Sequence, residues 1–101
     1  MLNAEHIQML NAAEAIREYI YAFSSAKPRH LPRMKASIQR FLFLCEAENN
    51  FQAVLTLYQR MKEPGFEDYD MLFQLGTFFA DNRLDSKLIT ECFDLADKLT
   101  D

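Results

Sequence analysis

Residues 49–61 read NNFQAVLTLYQRM. Phe51 follows two asparagines, and Val54, Tyr58 and Met61 then return at steps of three and four residues, the spacing of one helix face. Glu48-Asn49-Asn50 supplies a turn before the run, and Pro64-Gly65 terminates it. The stretch reads as the second helix of a helical hairpin, from about Phe51 to Glu63, with Val54, Leu55, Tyr58 and Met61 inward.

The rest of the chain follows outward from that hairpin. Its first helix runs from about Pro32, whose missing N–H is no loss in a first turn, to Ala47. Pro28 and Pro32 bias Lys27 and Leu31 away from helical backbone. Met34, Ile38, Phe41, Leu42 and Cys45 share one face, while Phe43 and Leu44 lie off it. A helix apolar on most sides is predicted to be central.

A leading helix is predicted over about Ala4–Phe23, capped by Asn3, with Glu5 at the positive end of its dipole. Its stripe is Ile7, Leu10, Ala13, Ile16, Ile20 and Phe23, widened by Met9, Tyr19 and Tyr21. The segment SSAKPRHLP stops it. A fourth helix spans about Glu67 to Ala80, with Leu72, Leu75, Gly76 and Phe79 as its core stripe and Phe73 and Phe78 beside it. Asp85 or Ser86 caps a fifth, which carries Leu88, Ile89, Cys92, Phe93, Leu95, Ala96 and Leu99.

Five helices joined by turns of a few residues leave no room for a sheet, and neighbours so joined lie antiparallel. The expected fold is all-α, in a single domain over 1–101. A leading amphipathic helix (1–26) precedes hairpin one (32–65) and hairpin two (66–101).

Composition agrees with this. Of 101 residues, half are apolar, enough for a core without metal or disulfide staples. Two Gly and three Pro argue against a turn-rich β protein and against disorder. Nine Phe and four Tyr supply an aromatic interior. Cys45 and Cys92 have no CxxC or histidine neighbour and fall on apolar stripes, as buried free thiols do in a reducing compartment. The opening MLNAEHIQML places Asn3, Glu5 and His6 where a signal peptide would be apolar. No window approaches a membrane span. The expectation is a soluble, cytoplasmic protein.

The net charge is −4, which disfavours binding that runs on phosphate neutralisation. It is unevenly spread. Residues 27–40 hold Lys27, Arg29, Arg33, Lys35 and Arg40 with no acid, whereas residues 63–101 hold ten acids against three bases. Either the two faces are simply solvated, or the polar molecule docks different partners, or copies of itself, at its ends.

Helix two with helix three, and helix four with helix five, repeat at about 34 residues, the period of tetratricopeptide arrays. Leu75-Gly76-Thr77-Phe78-Phe79 is similar to the L-G-x-x-Y core of the first tetratricopeptide helix, with Leu72 where the family often has Trp. Asn50, Phe51 and Tyr58 resemble the second helix of that repeat. Val54 and Met61 replace its Ala positions, Leu88, Cys92 and Leu95 stand at the Ala, aromatic and Ala places, and Leu42 stands where Gly would let helices touch. A looser stack is expected from these departures.

Size, acidity, a leading amphipathic helix and two degenerate hairpins resemble the small tetratricopeptide-type chaperones of type III secretion systems. That resemblance implies a cytosolic, non-enzymatic protein. It would wrap the amphipathic helix of a secreted or assembling subunit, such as a needle subunit, alongside a small helical co-chaperone. In such proteins the first helices of the hairpins line an apolar groove. Candidates here are Phe41, Phe43, Leu44 and Cys45, then Phe73, Leu75 and Phe78, with Arg29, Arg33 and Lys35 as a basic docking segment. Burial against the leading helix or against a homodimer mate is the bland alternative for these apolar side chains. A regulatory adaptor docking through 27–40 and a pentatricopeptide-like RNA binder are the other readings.

Catalytic signatures are missing. His6 and His30 have no Cys, His or carboxylate at ligand spacing, and there is no HExxH, Gly-rich phosphate loop or GxSxG. No metal or cofactor is expected.

Overall fold

The computed structural model describes residues 10–100. Among them the protein is all-α: α1 Ala12–Ser25, a 3₁₀ turn Pro28–His30, α2 Leu31–Ala47, α3 Phe51–Met61, α4 Tyr69–Asp81 and α5 Ser86–Lys98. The chain divides into two compact units, Met1–Arg60 and Met61–Asp101.

In the first unit, α1 starts later than the sequence pattern indicates. Leu10 and Asn11 are not helical; Asn11 is extended and accepts the Glu14 N–H at 2.9 Å, while its side-chain amide donates to the Glu14 carboxylate. This is an asparagine N-cap, with Glu14 at N3 bonded to the capping side chain, inside a stretch that otherwise looks helical. Asn3, Glu5, His6, Ile7 and Met9 lie outside the described residues. The buried stripe of α1 is Ala15, Ile16, Tyr19 and Phe23; Ala13 is exposed and Ile20 half-buried.

Lys27 is extended, as a residue before proline should be, but Leu31 is helical and opens α2 with Pro32 behind it. The 3₁₀ turn runs straight into α2, and continuity of the turn outweighs a preference that is only steric. The buried face of α2 is Met34, Ile38, Phe41, Leu44 and Cys45. Leu42 is half-buried and Phe43 is exposed, so α2 is not apolar-covered all round.

Three rings pin α1 to α2. Phe23 meets Phe41 edge to face with centroids 5.1 Å apart, Tyr19 meets Phe41 likewise at 5.8 Å, and Tyr19 stacks on Phe23 at 5.9 Å. Such pairs add ~0.5–1.5 kcal/mol each beyond the area they bury. Arg40 hydrogen-bonds the Tyr19 hydroxyl; burial raises the phenol's pKa, and Arg40 opposes the rise. The Arg60 guanidinium of α3 donates to the carbonyl of Ala26, the C-cap of α1, a charge-assisted bond to an otherwise orphan helix-end acceptor. On α3 itself Ala53, Val54, Leu57, Tyr58 and Met61 are buried, and Leu55 is half-buried.

The second unit is built on α4 packed along α5. Gly65, at φ 88°, makes the turn that Pro64 begins. Asp68 caps α4 by accepting the Met71 N–H at 3.0 Å, and Asp85 caps α5 by accepting the Lys87 N–H at 2.7 Å. Met71, Leu72, Leu75, Gly76, Phe78 and Phe79 of α4 are buried, with Phe66 before them. On α5 only Cys92 and Ala96 are buried; Leu88, Ile89, Phe93 and Leu95 are half-covered and Leu99 is exposed.

One device ends both α2 and α4. Asn49 and Arg83, 34 positions apart, both lie in the left-handed region, at φ 52° and 55°. After α2, the Asn50 N–H reaches the Cys45 carbonyl at 2.8 Å and the Asn49 N–H reaches the Glu46 carbonyl at 3.2 Å. After α4, Leu84 to Phe79 at 2.9 Å and Arg83 to Ala80 at 3.0 Å repeat the pattern. Each is a Schellman motif, which satisfies carbonyls the helix leaves open and turns the chain out of it.

Candidate partner-binding surface

Of the apolar side chains singled out from sequence, Phe41, Leu44, Cys45, Leu75 and Phe78 lie in the core. Each falls on the buried face of its own helix, and none of the five offers surface to a partner. Phe43 and Phe73 differ. Phe43 is 66% exposed on α2 and Phe73 is 47% exposed on α4. Arg29, Arg33 and Lys35 are exposed too.

Two further aromatics belong beside these, Tyr21 on α1 and Tyr69 at the start of α4, both exposed. Tyr69 was readable from sequence, since it sits one turn before Phe73 and off the Leu72, Leu75, Phe79 stripe. The rings of Tyr69 and Phe73 stack with centroids 5.9 Å apart. Phe73 then meets Phe93 of α5 edge to face at 5.7 Å. The second unit thus presents three adjoining rings that cross from one helix to the next.

The first unit carries a separate feature. Ile20 and Tyr21 of α1 face Ala53 and Thr56 of α3 across an open groove of about 570 Å³, with mainly apolar walls. Along α5, Thr90, Glu91, Asp94, Leu95 and Lys98 line a smaller and more polar depression of about 450 Å³.

The titratable groups have structural work. The Lys27 N–H donates to His30 Nδ1 at 2.8 Å, which closes the 3₁₀ turn, and Arg29 Nε approaches His30 Nε2 at 3.5 Å. Desolvation lowers the His30 pKa, and the charges of Arg29, Arg33 and Lys27 lower it further. Burial pushes both thiols up to about 12. Cys92 donates to the Leu72 carbonyl at 3.1 Å. Neither cysteine has the character of a nucleophile, which requires a thiolate. Among the described residues no group of three or more His, Cys, Asp or Glu is placed to hold a metal ion, and no helix is long and apolar enough to cross a membrane. Lys62 pairs with Glu91 at 2.9 Å, both ends solvent-exposed.

No protein-family model, curated protein or solved structure matches this chain. Its function is therefore argued from its own surface.

Proposed function

We propose that this protein is a non-enzymatic interaction module, a chaperone or adaptor that binds an amphipathic helix of another protein. The observation that carries the reading is the exposure of two large aromatics, Phe43 on α2 in the first unit and Phe73 on α4 in the second. Fully burying such a side chain is worth ~1.5–3 kcal/mol relative to leaving it in water, and in the second unit the stacked Tyr69 and Phe73 rings make a contiguous aromatic patch of the kind that marks an interaction site. A partner helix presenting apolar residues at i, i+3, i+4 and i+7 is the common complement of such a surface. The Asn49 and Arg83 motifs, spaced by the tetratricopeptide period, support the resemblance to helical-repeat chaperones, including those of type III secretion, whose clients are helices of this kind.

The test is capture of the wild-type protein from its native cells at moderate salt, in parallel with Phe43→Asp and Phe73→Asp, followed by intact-complex mass spectrometry. One or two small helical proteins in fixed stoichiometry, lost from a variant that circular dichroism shows to be folded, is the expected result. Recovery of the wild type alone as a stable monomer would sink the reading.

A second reading rests on the basic segment, where Arg29, Arg33 and Lys35 are exposed in a stretch with no acid. It is an adaptor docking an acidic surface. It predicts binding that weakens steeply with salt and survives both aromatic substitutions.

A further inference from the structure

The second unit has more aromatic surface than its core consumes. Tyr69, 37% exposed, and Phe73 stack one turn apart on α4, their planes 27° apart. Phe93 continues the strip on α5, its plane turned 67° to that of Phe73. The strip is seated on α4 through Phe93. The ring of Phe93 lies against Gly76 so closely that a Cβ there would stand 2.9 Å from Cε1 and Cζ. Ile89, one turn before Phe93, is half-covered and extends the apolar edge.

Charge decides what can cover this strip. Asp70 follows Tyr69 on the exposed side of α4, and Asp94 and Asp97 follow Phe93 on the exposed side of α5. The unit as a whole, residues 61–101, has ten acids and four bases, a net of −6, whereas residues 1–60 have five acids and seven bases. A segment flanked by Glu or Asp would meet like charge in a unit whose carboxylates outnumber Lys87, Lys98 and its other bases. Lys or Arg beside an apolar stripe would instead face the Asp carboxylates, and can lie over the ring faces of Tyr69 and Phe73.

We infer that the Tyr69–Phe73–Phe93 strip receives an amphipathic helix of a partner protein whose apolar stripe is flanked by Lys and Arg. The inference rests on the helix-binding reading above and adds to it the unit that binds and the charge of the client. The same carboxylates disfavour anionic occupants, such as nucleic acid or an acidic membrane surface.

Two synthetic helical peptides test this with the full chain. Both carry one Leu stripe at i, i+3, i+4 and i+7; one is flanked by Lys and the other by Glu. Each is titrated into isotope-labelled protein and followed by amide chemical shifts. The Lys peptide is expected to shift amides around Tyr69, Phe73 and Phe93 and to weaken about tenfold on raising salt several-fold. The double variant Asp94→Lys/Asp97→Lys, at two exposed positions, should reverse the preference between the peptides.

Equal binding of both peptides to the strip would overturn the charge assignment while leaving helix binding standing. Shifts confined to residues 10–60 would overturn the location. Binding of neither peptide would sink the helix-binding reading itself. Concentration-dependent self-association of the protein alone, abolished by the same double variant, would make a second copy the occupant and overturn the inference.

Discussion

Gly76 on α4 and Phe93 on α5 touch so closely that any side chain at Gly76 requires the ring to shift: an added Cβ would stand 2.9 Å from two carbons of the Phe93 ring. The obstructing atoms are the end of a ring already held edge to face by Phe73. Gly76→Ala is therefore expected to destabilise the protein by ~1–3 kcal/mol, the range for overpacking a well-filled contact. The gain of helix propensity from Gly to Ala, ~1 kcal/mol, works against this and sets the lower edge. Urea unfolding of the two proteins decides it. An unchanged or raised midpoint would mean that the ring swings aside at no cost.

Arg83 is the converse case. It holds φ 55° at the end of α4, where a Cβ is disfavoured and glycine is at home. Arg83→Gly should stabilise by ~0.5–1 kcal/mol, the left-handed strain relieved less the extra freedom given to the unfolded chain. Asn49→Gly, at the equivalent place after α2, should be close to neutral because asparagine tolerates this region well. A pair of thermal melts separates the two. Equal effects at both sites would show that the backbone does not discriminate between these residues.

Position on the helix, not residue type, decides what a charge does to this protein. Phe43→Asp places a carboxylate in solvent and should leave stability within ~0.5 kcal/mol of wild type, whereas Phe73→Asp also loses the ring contacts with Tyr69 and Phe93 and should cost ~1–3 kcal/mol while leaving the protein folded. Phe41→Asp and Leu75→Asp place a carboxylate where side chains are fully buried, and each should abolish folding. Far-ultraviolet circular dichroism of the four variants checks this. Folded Phe41→Asp protein would show that the α1–α2 ring cluster is not part of the core.

The same contrast shows what was legible in the sequence. Among the described residues, five helices, their order and most of their ends follow from apolar spacing and from Asp68, Asp85 and the Pro-Gly turn. The edge of each buried stripe does not. Spacing puts Phe41 on the α2 face and Phe43 off it, as the structure has them, but it sets Leu44 and Phe78 beside their stripes although both are buried, because a small rotation of the helix decides and a wide stripe fits several rotations. Spacing favoured Ile20 and Leu55, but the packing buries Tyr19 and Leu57. The Asn11 cap is hidden in the sequence because Leu10 and Ala13 continue the apolar rhythm on either side of it. Leu31 is helical against expectation because the preference before proline is weaker than a 3₁₀ turn already wound.

His30 gives the first unit a defined response to acid. Its Nδ1 accepts the Lys27 N–H, so protonation there removes the acceptor and adds a cation beside Arg29 and Arg33. The folded pKa lies below 6.5, so between it and 6.5 the unfolded chain binds more protons. The contribution of this group is complete above about pH 6.5 and is lost as pH falls through the folded value. Nuclear magnetic resonance titration of the imidazole should give a midpoint under 6.5, with the Lys27 amide moving in step. A midpoint above 6.5 would mean that the capping bond does not persist in solution.

The two thiols report opening at neutral pH and destabilise at high pH. Cys45 and Cys92 are fully buried, and burial raises both from 9.0 to about 12. Reaction with a thiol reagent needs thiolate and access, so native protein at pH 8 should label at least ~10³-fold more slowly than protein in denaturant, as a domain stable by several kcal/mol requires. The sign at alkaline pH follows from the same shift. Below 9 both states hold the thiol protons, and from 9 upward the unfolded chain releases them while the folded chain keeps them. Stability is then lost as pH rises toward 12, and Tyr19, raised by burial as well, adds in the same direction. The urea midpoint should fall between pH 8.5 and 10, and less steeply for Cys45→Ala/Cys92→Ala than for wild type. Identical slopes would show that the thiols ionise without leaving the core.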